Sequence, residues 1–408
     1  MADTQGAIAQ PTRAAPRPIR VMIVDDAVVV RGLLSRWFSE AGGIEVASTH
    51  RTGLEAVNAI SHVKPDVVLL DIEMPDMDGV TALPLLLKKC PGTTIIVVST
   101  LTTRNAEISL RCLSLGAIDY VAKPSTNRDV TFSTDFRREI IAKVVALGKI
   151  NCPELRTLRP SPLSASLLKA GILQTAGAKL GLSQDSSSGA QASPSHLAAP
   201  GTDTSIQLRP LAKVVPRVLV IGASTGGPNA VTELLRACRP AIKRLPVVIA
   251  QHMPTMFTAM FADHLRRQLT IDASEAHHGE MVEAGRIYVA PGGKHLHLQR
   301  CPAGVRAVVD DAPPVNFCKP SVDVTMASAA QVYSAGVLAV MLTGMGSDGL
   351  RGATNVVEHG GNLLAQDEAS SVVWGMPGAV AKRGLCAAVE PIERLARVIN
   401  LLSGGERP

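Results

Sequence analysis

Short, nearly unbroken apolar runs recur along the chain, and each ends on polar residues. IRVMIVDD (19–26), VVLLDI (67–72) and TIIVVS (94–99) have the length and β-branched content of buried strands. AVVVRGLLSRWF and AEISLRCLSLGA, which follow the first and third of them, have helical spacing, and DYVAKP (119–124) reads as a short last strand. The pattern begins again further on, where RVLVIGAS, LPVVIAQ, RIYVAPG, VLAVMLTG and NLLAQD are strand-like and empty into polar loops. Strands alternating with helices predict parallel sheets covered on both faces. The expected fold is α/β, with two doubly wound parallel-sheet domains joined by a long linker. In such sheets ligands collect at the carboxyl ends of the strands, so the loops there should carry the chemistry.

Between the two units the composition shifts to small and polar residues, as in QDSSSGAQASPSHLAAPGTDTS. That stretch has too little apolar surface to offset the entropy of ordering it. The expected organisation is a disordered tail over 1–18, a first domain over 19–148, a flexible linker over 149–213 and a second domain over 214–403. Of the 408 residues 46% are hydrophobic but only 3% aromatic, so the cores must be built from aliphatic side chains. A formal charge of +6 is modest and forms no basic cluster with interleaved aromatics. With no helix-turn-helix pattern after residue 150, no nucleic-acid partner is expected. Seven cysteines without a C-x-x-C pair argue against a disulfide framework and a structural zinc site. The start lacks the apolar core of a secretion signal, and no run reaches the roughly 18 apolar residues of a membrane span. A cytoplasmic protein with no direct membrane insertion is expected.

In the first unit, Asp25 and Asp26 end one predicted strand and Asp71 another. If those strands are neighbours, three carboxylates converge, which is costly unless a divalent cation shares them. Hard oxygen ligands suit Mg2+. Ser99 adds a hydroxyl and Lys123 a cation at two further strand ends. One such residue alone is ordinarily a solvated strand terminus, but five at strand ends suit phosphoryl transfer onto an aspartate. The segments VDD, LDIEMPDMDG, VVST and DYVAKP resemble the receiver domain of two-component response regulators. The resemblance implies that Asp71 is the phosphoacceptor and that Asp25 and Asp26 bind Mg2+ together with it. It also implies that the main-chain carbonyl of Glu73 faces the metal. Ser99, Tyr120 and Lys123 match the switch hydroxyl, the switch aromatic and the lysine of that family.

VLVIGASTGGP (218–228) admits two readings, a phosphate cradle or a turn that presents a serine. Glycines 222, 226 and 227 do not fit G-x-G-x-x-G, and no Lys-Ser/Thr pair follows them as in a P-loop. G-A-S-T-G does fit G-x-S-x-G, with an apolar strand before it and a helix with an early proline after it. Ser224 then needs a base and the base an orienting acid. His252, just beyond the next strand, is the first choice. His277, His278, His295 and His297 are less suited and could line a cleft. Asp348 lies in the glycine-rich turn MLTGMGSDG, whose backbone N–H groups could form an oxyanion site; the alternative is that it caps the helix that follows.

IGASTGGP, QHMP, APGGKHL, KPSVDVTMASAA and LTGMGSDG resemble the catalytic domain of chemotaxis-specific protein-glutamate methylesterases. The resemblance implies that Ser224 is the nucleophile, His252 the base and Asp348 the acid. Met345 matches a position whose N–H is linked to the oxyanion site, and Thr225 lies next to the nucleophile. It further implies hydrolysis of glutamate methyl esters, with no cofactor, and deamidation of particular glutamines. The implied partners are methyl-accepting chemotaxis receptors, as substrate, and a chemotaxis histidine kinase, as phosphodonor. Recruitment to membrane receptor arrays follows from those partners. A non-catalytic adaptor is the rival reading, and it makes no use of Ser224.

Overall fold

In a computed structural model of the chain, residues 17–124, 133–149 and 206–406 are described. Of the expected tail (1–18), residues 1–16 lie outside them, and of the expected linker (149–213), residues 150–205. Within the expected linker, 206–213 is described, and it runs along the second sheet: Arg209 N–H donates to Cys386 O (2.8 Å) and Ala212 N–H to Asn362 Oδ1 (2.8 Å).

The first sheet contains β1 (Ile19–Val24), β2 (Ile44–His50), β3 (Val67–Asp71), β4 (Thr94–Thr100) and β5 (Asp119–Lys123). They lie in the order β2-β1-β3-β4-β5 and every neighbouring pair is parallel. β3 is buried at every position because helices cover both faces, which is why it reads as a continuous apolar run. β2 is absent from the apolar pattern for the opposite reason. It is an edge strand, IEVASTH, with only Ile44 buried. Registry sets Val24 against Leu70 and Asp71 against Val98, so the carboxyl ends of β1, β3 and β4 meet at one sheet edge.

The second sheet has seven parallel strands. These are β6 (Val218–Ala223), β7 (Val247–Gln251), β8 (Asp272–Glu275), β9 (Arg286–Val289), β12 (Val337–Met341), β13 (Asn362–Gln366) and β14 (Ala388–Glu390). Their order is β14-β13-β12-β6-β7-β9-β8. An antiparallel hairpin, β10 (His295–Cys301) with β11 (Gly304–Asp310), departs from the all-parallel expectation. The chain leaves β6 toward β7 on one side and returns to place β12 on the other. That reversal opens a crevice at the carboxyl end of β6, the usual ligand position in an open α/β sheet. Among the described residues no helix is long and apolar enough to cross a membrane.

The helix Thr103–Ser114, beside the first sheet, packs against Phe257–Leu269, beside the second. Tyr120 of β5 stacks on Phe257 with ring centroids 4.6 Å apart and planes 5° from parallel. Asn229 Nδ2 donates to Leu113 O at 3.3 Å, and Arg267 pairs with Glu107 at 3.1 Å. Both members of that ion pair are exposed, so it adds little; the buried aromatic stack is the stronger contact.

Candidate functional site

Asp25 and Asp71 are buried and Asp26 is exposed, and ligand oxygens of all three fall within 4.8 Å of one another. Lys123 Nζ donates to Asp71 Oδ2 (2.6 Å) and Asp25 Oδ2 (3.2 Å). Burial raises the Asp71 carboxyl, and the charge of Asp25 adds to that; Lys123 opposes both, and the result is a value of about 7. A site that resists ionisation of its own acid is one that a divalent cation would complete, and an all-oxygen donor set fits a hard ion. Glu73 follows in the exposed loop after β3. The Ser99 hydroxyl bonds Ser109 Oγ in the helix Thr103–Ser114 (2.8 Å), so it is not turned toward the carboxylates. Tyr120 is fixed from behind by Lys143, whose Nζ donates to Tyr120 O.

Because the folded-state pKa of Asp71 lies above its unfolded value, its contribution to stability falls as pH rises from about 4 through about 7. Asp71→Asn is therefore expected to raise the melting temperature of metal-free protein at alkaline pH by a few degrees. Added Mg2+ should narrow the gap by stabilising the parent, as thermal melts of both proteins would show.

In the second sheet β6 lies between β7 and β12, which brings Ser224, His252 and the Asp348 turn to one edge. Ser224 sits in a strand-turn-helix elbow whose backbone is held on both sides. Its N–H donates to Thr343 O (3.0 Å), and its carbonyl accepts from Gly227 N–H (2.7 Å) and Gln251 Nε2 (2.9 Å). Two glycines make room for it. Gly226 has φ +73°, where a side chain is strained, and a Cβ on Gly344 would stand 2.9 Å from Ser224 Cβ. Pro228 in the first turn helps start the helix Gly227–Ala237.

His252 N–H donates to Ala223 O (3.1 Å), and its ring Nε2 bonds Asp348 Oδ2 at 2.8 Å. Asp348 does not cap the helix that follows it, Leu350–Glu358, whose N-cap is Gly349. Its carboxylate lies instead at the N-terminus of the helix Val322–Tyr333, accepting from Val322 N–H (2.7 Å) and Ser321 Oγ (2.8 Å). Burial would raise Asp348, but the bond and charge of His252, with those donors, hold it below the usual carboxylate range. Burial lowers His252, but its bonds to Asp348 and Cys318 reverse this and lift it well above its ordinary value.

Among the described residues no hydrogen bond joins Ser224 Oγ to His252; the ring's Nδ1 faces Cys318 Sγ at 3.7 Å. Such contacts commonly tighten only when substrate is present. The N–H groups of Thr225 and Met345 carry no hydrogen bond among the described residues, and Thr225 Oγ1 is buried without a partner. His295 is buried and structural, its Nδ1 accepting from Ser321 N–H (3.2 Å). His297 pairs with Asp310 on the hairpin, and His278 bonds Val309 O there.

Three further side chains contribute that the sequence reading does not assign to the site. Gln251 Nε2 bridges the carbonyls of Ser224 and His252, Asn316 Nδ2 reaches Asp348 Oδ1 (3.2 Å), and Cys318 meets the ring. Only Gln251 left a signal, as a polar residue closing a buried strand beside a candidate base.

An acidic strand-end pocket on a five-stranded sheet, and a serine elbow at the switch point of a seven-stranded one, define a response regulator with a hydrolytic output domain. Residues 21–133 match the family model of the response regulator receiver domain, and residues 219–399 match that of the CheB methylesterase. A protein-glutamate methylesterase/protein-glutamine glutaminase of group 2 operon from Bradyrhizobium diazoefficiens is 46% identical, the match covering 96% of this chain and 95% of the relative. Relatives from Rhodopseudomonas palustris (45%; 95% of each chain) and Azospirillum brasilense (44%; 96% and 94%) bear the name protein-glutamate methylesterase/protein-glutamine glutaminase. The chain belongs to the protein-glutamate methylesterase/protein-glutamine glutaminase family.

Proposed function

We propose that this chain is a phosphorylation-controlled esterase that removes methyl groups from glutamate side chains of chemotaxis receptors and deamidates particular receptor glutamines. The observation that carries this reading is the His252–Asp348 pair at the strand ends flanking the Ser224 elbow. Asp348 holds the ring with Nε2–H toward itself, which leaves Nδ1 as the base. Nδ1 takes the proton of Ser224 Oγ, and the oxygen attacks the ester carbonyl. The N–H groups of Met345 and Thr225 are placed to receive the oxyanion. Methanol departs with the proton from His252, and water then releases the glutamate. With glutamine the departing molecule is ammonia.

The units that carry this are proposed as a receiver over 19–148 and a catalytic domain over 214–403. Asp71 receives the phosphoryl group from a chemotaxis histidine kinase. Asp25, Asp26, Asp71 and the Glu73 carbonyl would hold Mg2+, which supplies charge neutralisation for the phosphoryl oxygens. Lys123 sits between Asp25 and Asp71, and Ser99 and Tyr120 relay the change. Both relay residues lead to the seam between the sheets, Ser99 through Ser109 and Tyr120 through its stack on Phe257. We place the protein in the cytoplasm at receptor arrays.

In full-length protein Asp71→Asn should bring the ratio of methanol release with and without a small phosphodonor to unity. Stimulation equal to that of the parent would rule the switch out. Phe257→Leu keeps the apolar filling but loses the stack, worth about 0.5–1.5 kcal/mol. If the stack restrains the unphosphorylated enzyme, initial rates without phosphodonor should then rise about 2–10-fold, and an unchanged rate would rule that restraint out.

A further inference from the structure

Cys318 has no part in the reaction above, yet it stands in the middle of the site. Its Sγ lies 3.7 Å from His252 Nδ1. The thiol, a ring nitrogen of His252 and a carboxylate oxygen of Asp348 all fall within 4.8 Å of one another. Three loops bring them together: the one after β7, the one before the helix Val322–Tyr333, and the one after β12. Asn316 and Phe317 turn the middle loop through the left-handed region (φ 51° and 62°). Asn316 Nδ2 pins that turn to Asp323 Oδ2 (2.7 Å) and Asp348 Oδ1 (3.2 Å). The thiol is thus held by the network that holds the acid.

Thiolate and imidazole are donors that suit a borderline-soft divalent cation, zinc above all. In a tetrahedral zinc site, bonds of about 2.3 Å to sulfur and about 2.0–2.1 Å to nitrogen set those two ligands about 3.6 Å apart. Sγ and Nδ1 already have that spacing. A carboxylate on the other ring nitrogen fixes the tautomer, as it does around zinc-binding histidines generally, and Asp348 occupies that place on Nε2.

Charge gives a separate reason. Asp323 and Asp348 are both buried. Asp323 accepts from Asn316 Nδ2 and Gly352 N–H; Asp348 accepts from Asn316, Ser321 and Val322, besides His252. Among the described residues no lysine or arginine side chain bonds either carboxylate. Apart from the His252 ring, whose proton can leave, these two buried acids have no cation beside them, and a metal ion could take that proton's place. His252 and Cys318 are both partly exposed, which gives a hydrated ion a way in.

We infer that Cys318 and His252, with Asp348 holding the far nitrogen of the ring, form an inhibitory zinc site. On binding, the Cys318 thiol and a protonated His252 Nδ1 lose their protons to solvent, the thiolate and the Nδ1 lone pair bond the metal, and water fills its remaining positions. That lone pair is the one the proposed hydrolysis needs, so zinc and turnover exclude each other. Only this consequence rests on the hydrolase reading; the binding itself does not.

The test uses full-length, metal-free protein in excess Mg2+, which occupies the acidic pocket of the first sheet. Co2+ serves as the spectroscopic probe, since a thiolate ligand gives a near-ultraviolet charge-transfer band. The parent should show that band at one equivalent, and zinc should displace it. Cys318→Ser should lose the band and, measured against its own zinc-free rate, need at least tenfold more zinc for inhibition, while Cys301→Ser behaves as the parent. No thiolate band in the parent, or the same band and zinc sensitivity in Cys318→Ser, would overturn the site. A Cys318-dependent band in a protein without ester hydrolysis would establish the site and remove the hydrolase reading instead.

Discussion

Ser224→Ala is expected to leave a folded protein that releases methanol from methylated receptors about 10⁴–10⁶-fold more slowly than the parent. The size follows from losing covalent catalysis altogether, which leaves only binding and the oxyanion donors. Folding should be untouched for a reason visible in the elbow. The contacts that hold residue 224 are those of its backbone N–H and carbonyl, and Oγ has no hydrogen bond among the described residues to lose. Truncating a side chain that bonds to nothing costs within about 0.5 kcal/mol. The assay pairs methanol release with a thermal melt. An unchanged melt with lost turnover supports the nucleophile, whereas near-normal release would favour the adaptor, which has no use for the hydroxyl.

Asp348→Asn should cost about 10³–10⁴-fold in kcat, because an amide cannot both accept from His252 Nε2–H and keep the donors around it satisfied. Ser321 Oγ and Val322 N–H point at the two carboxylate oxygens, so either orientation of the amide sets an NH2 against a donor. The pH profile separates this from simple misfolding. Only neutral imidazole can act as base, and Asp348 and Cys318 lift its pKa, so the parent's rate climbs from neutral into alkaline pH. Removing the Asp348 charge lowers that pKa, and the ascending limb should move to lower pH even as its height falls. A limb that stays in place would mean that Asp348 does not set the protonation of the base.

The strand ends were legible because burial writes itself into the sequence. β3 and β6, buried at every position, are unbroken apolar runs, and whatever polar residue closes such a run is conspicuous. Asp71, Lys123 and Ser224 were found that way. β2, β8 and β14 were not, since short strands at or near sheet edges have polar, half-exposed residues and no period to detect. The side-chain partners were harder still. Nothing in SVVWGM or VNFCKPS announces that Val373 O receives Gly344 N–H, or that Cys318 meets a histidine from a distant loop. Asp348 is conspicuous among its glycines, but its place at the start of the helix Val322–Tyr333 depends on packing between helices that are neighbours in space rather than in sequence, namely that helix and Leu350–Glu358.

Phe257 and His252 belong to one stretch of chain, the loop after β7 and the helix it enters, and Tyr120 rests on the first residue of that helix. Under the proposed function, a receptor segment settling on Ser224 and a phosphoryl group arriving at Asp71 would act on the same seam from opposite ends. Equilibrium coupling of this kind runs equally in both directions. Whatever factor phosphorylation adds to substrate affinity, bound substrate returns to the affinity of the first sheet for its phosphoryl mimic. On that proposal the receptor would be an effector of the regulator as well as its target, and bound receptor would hold the activated form longer than free solution does.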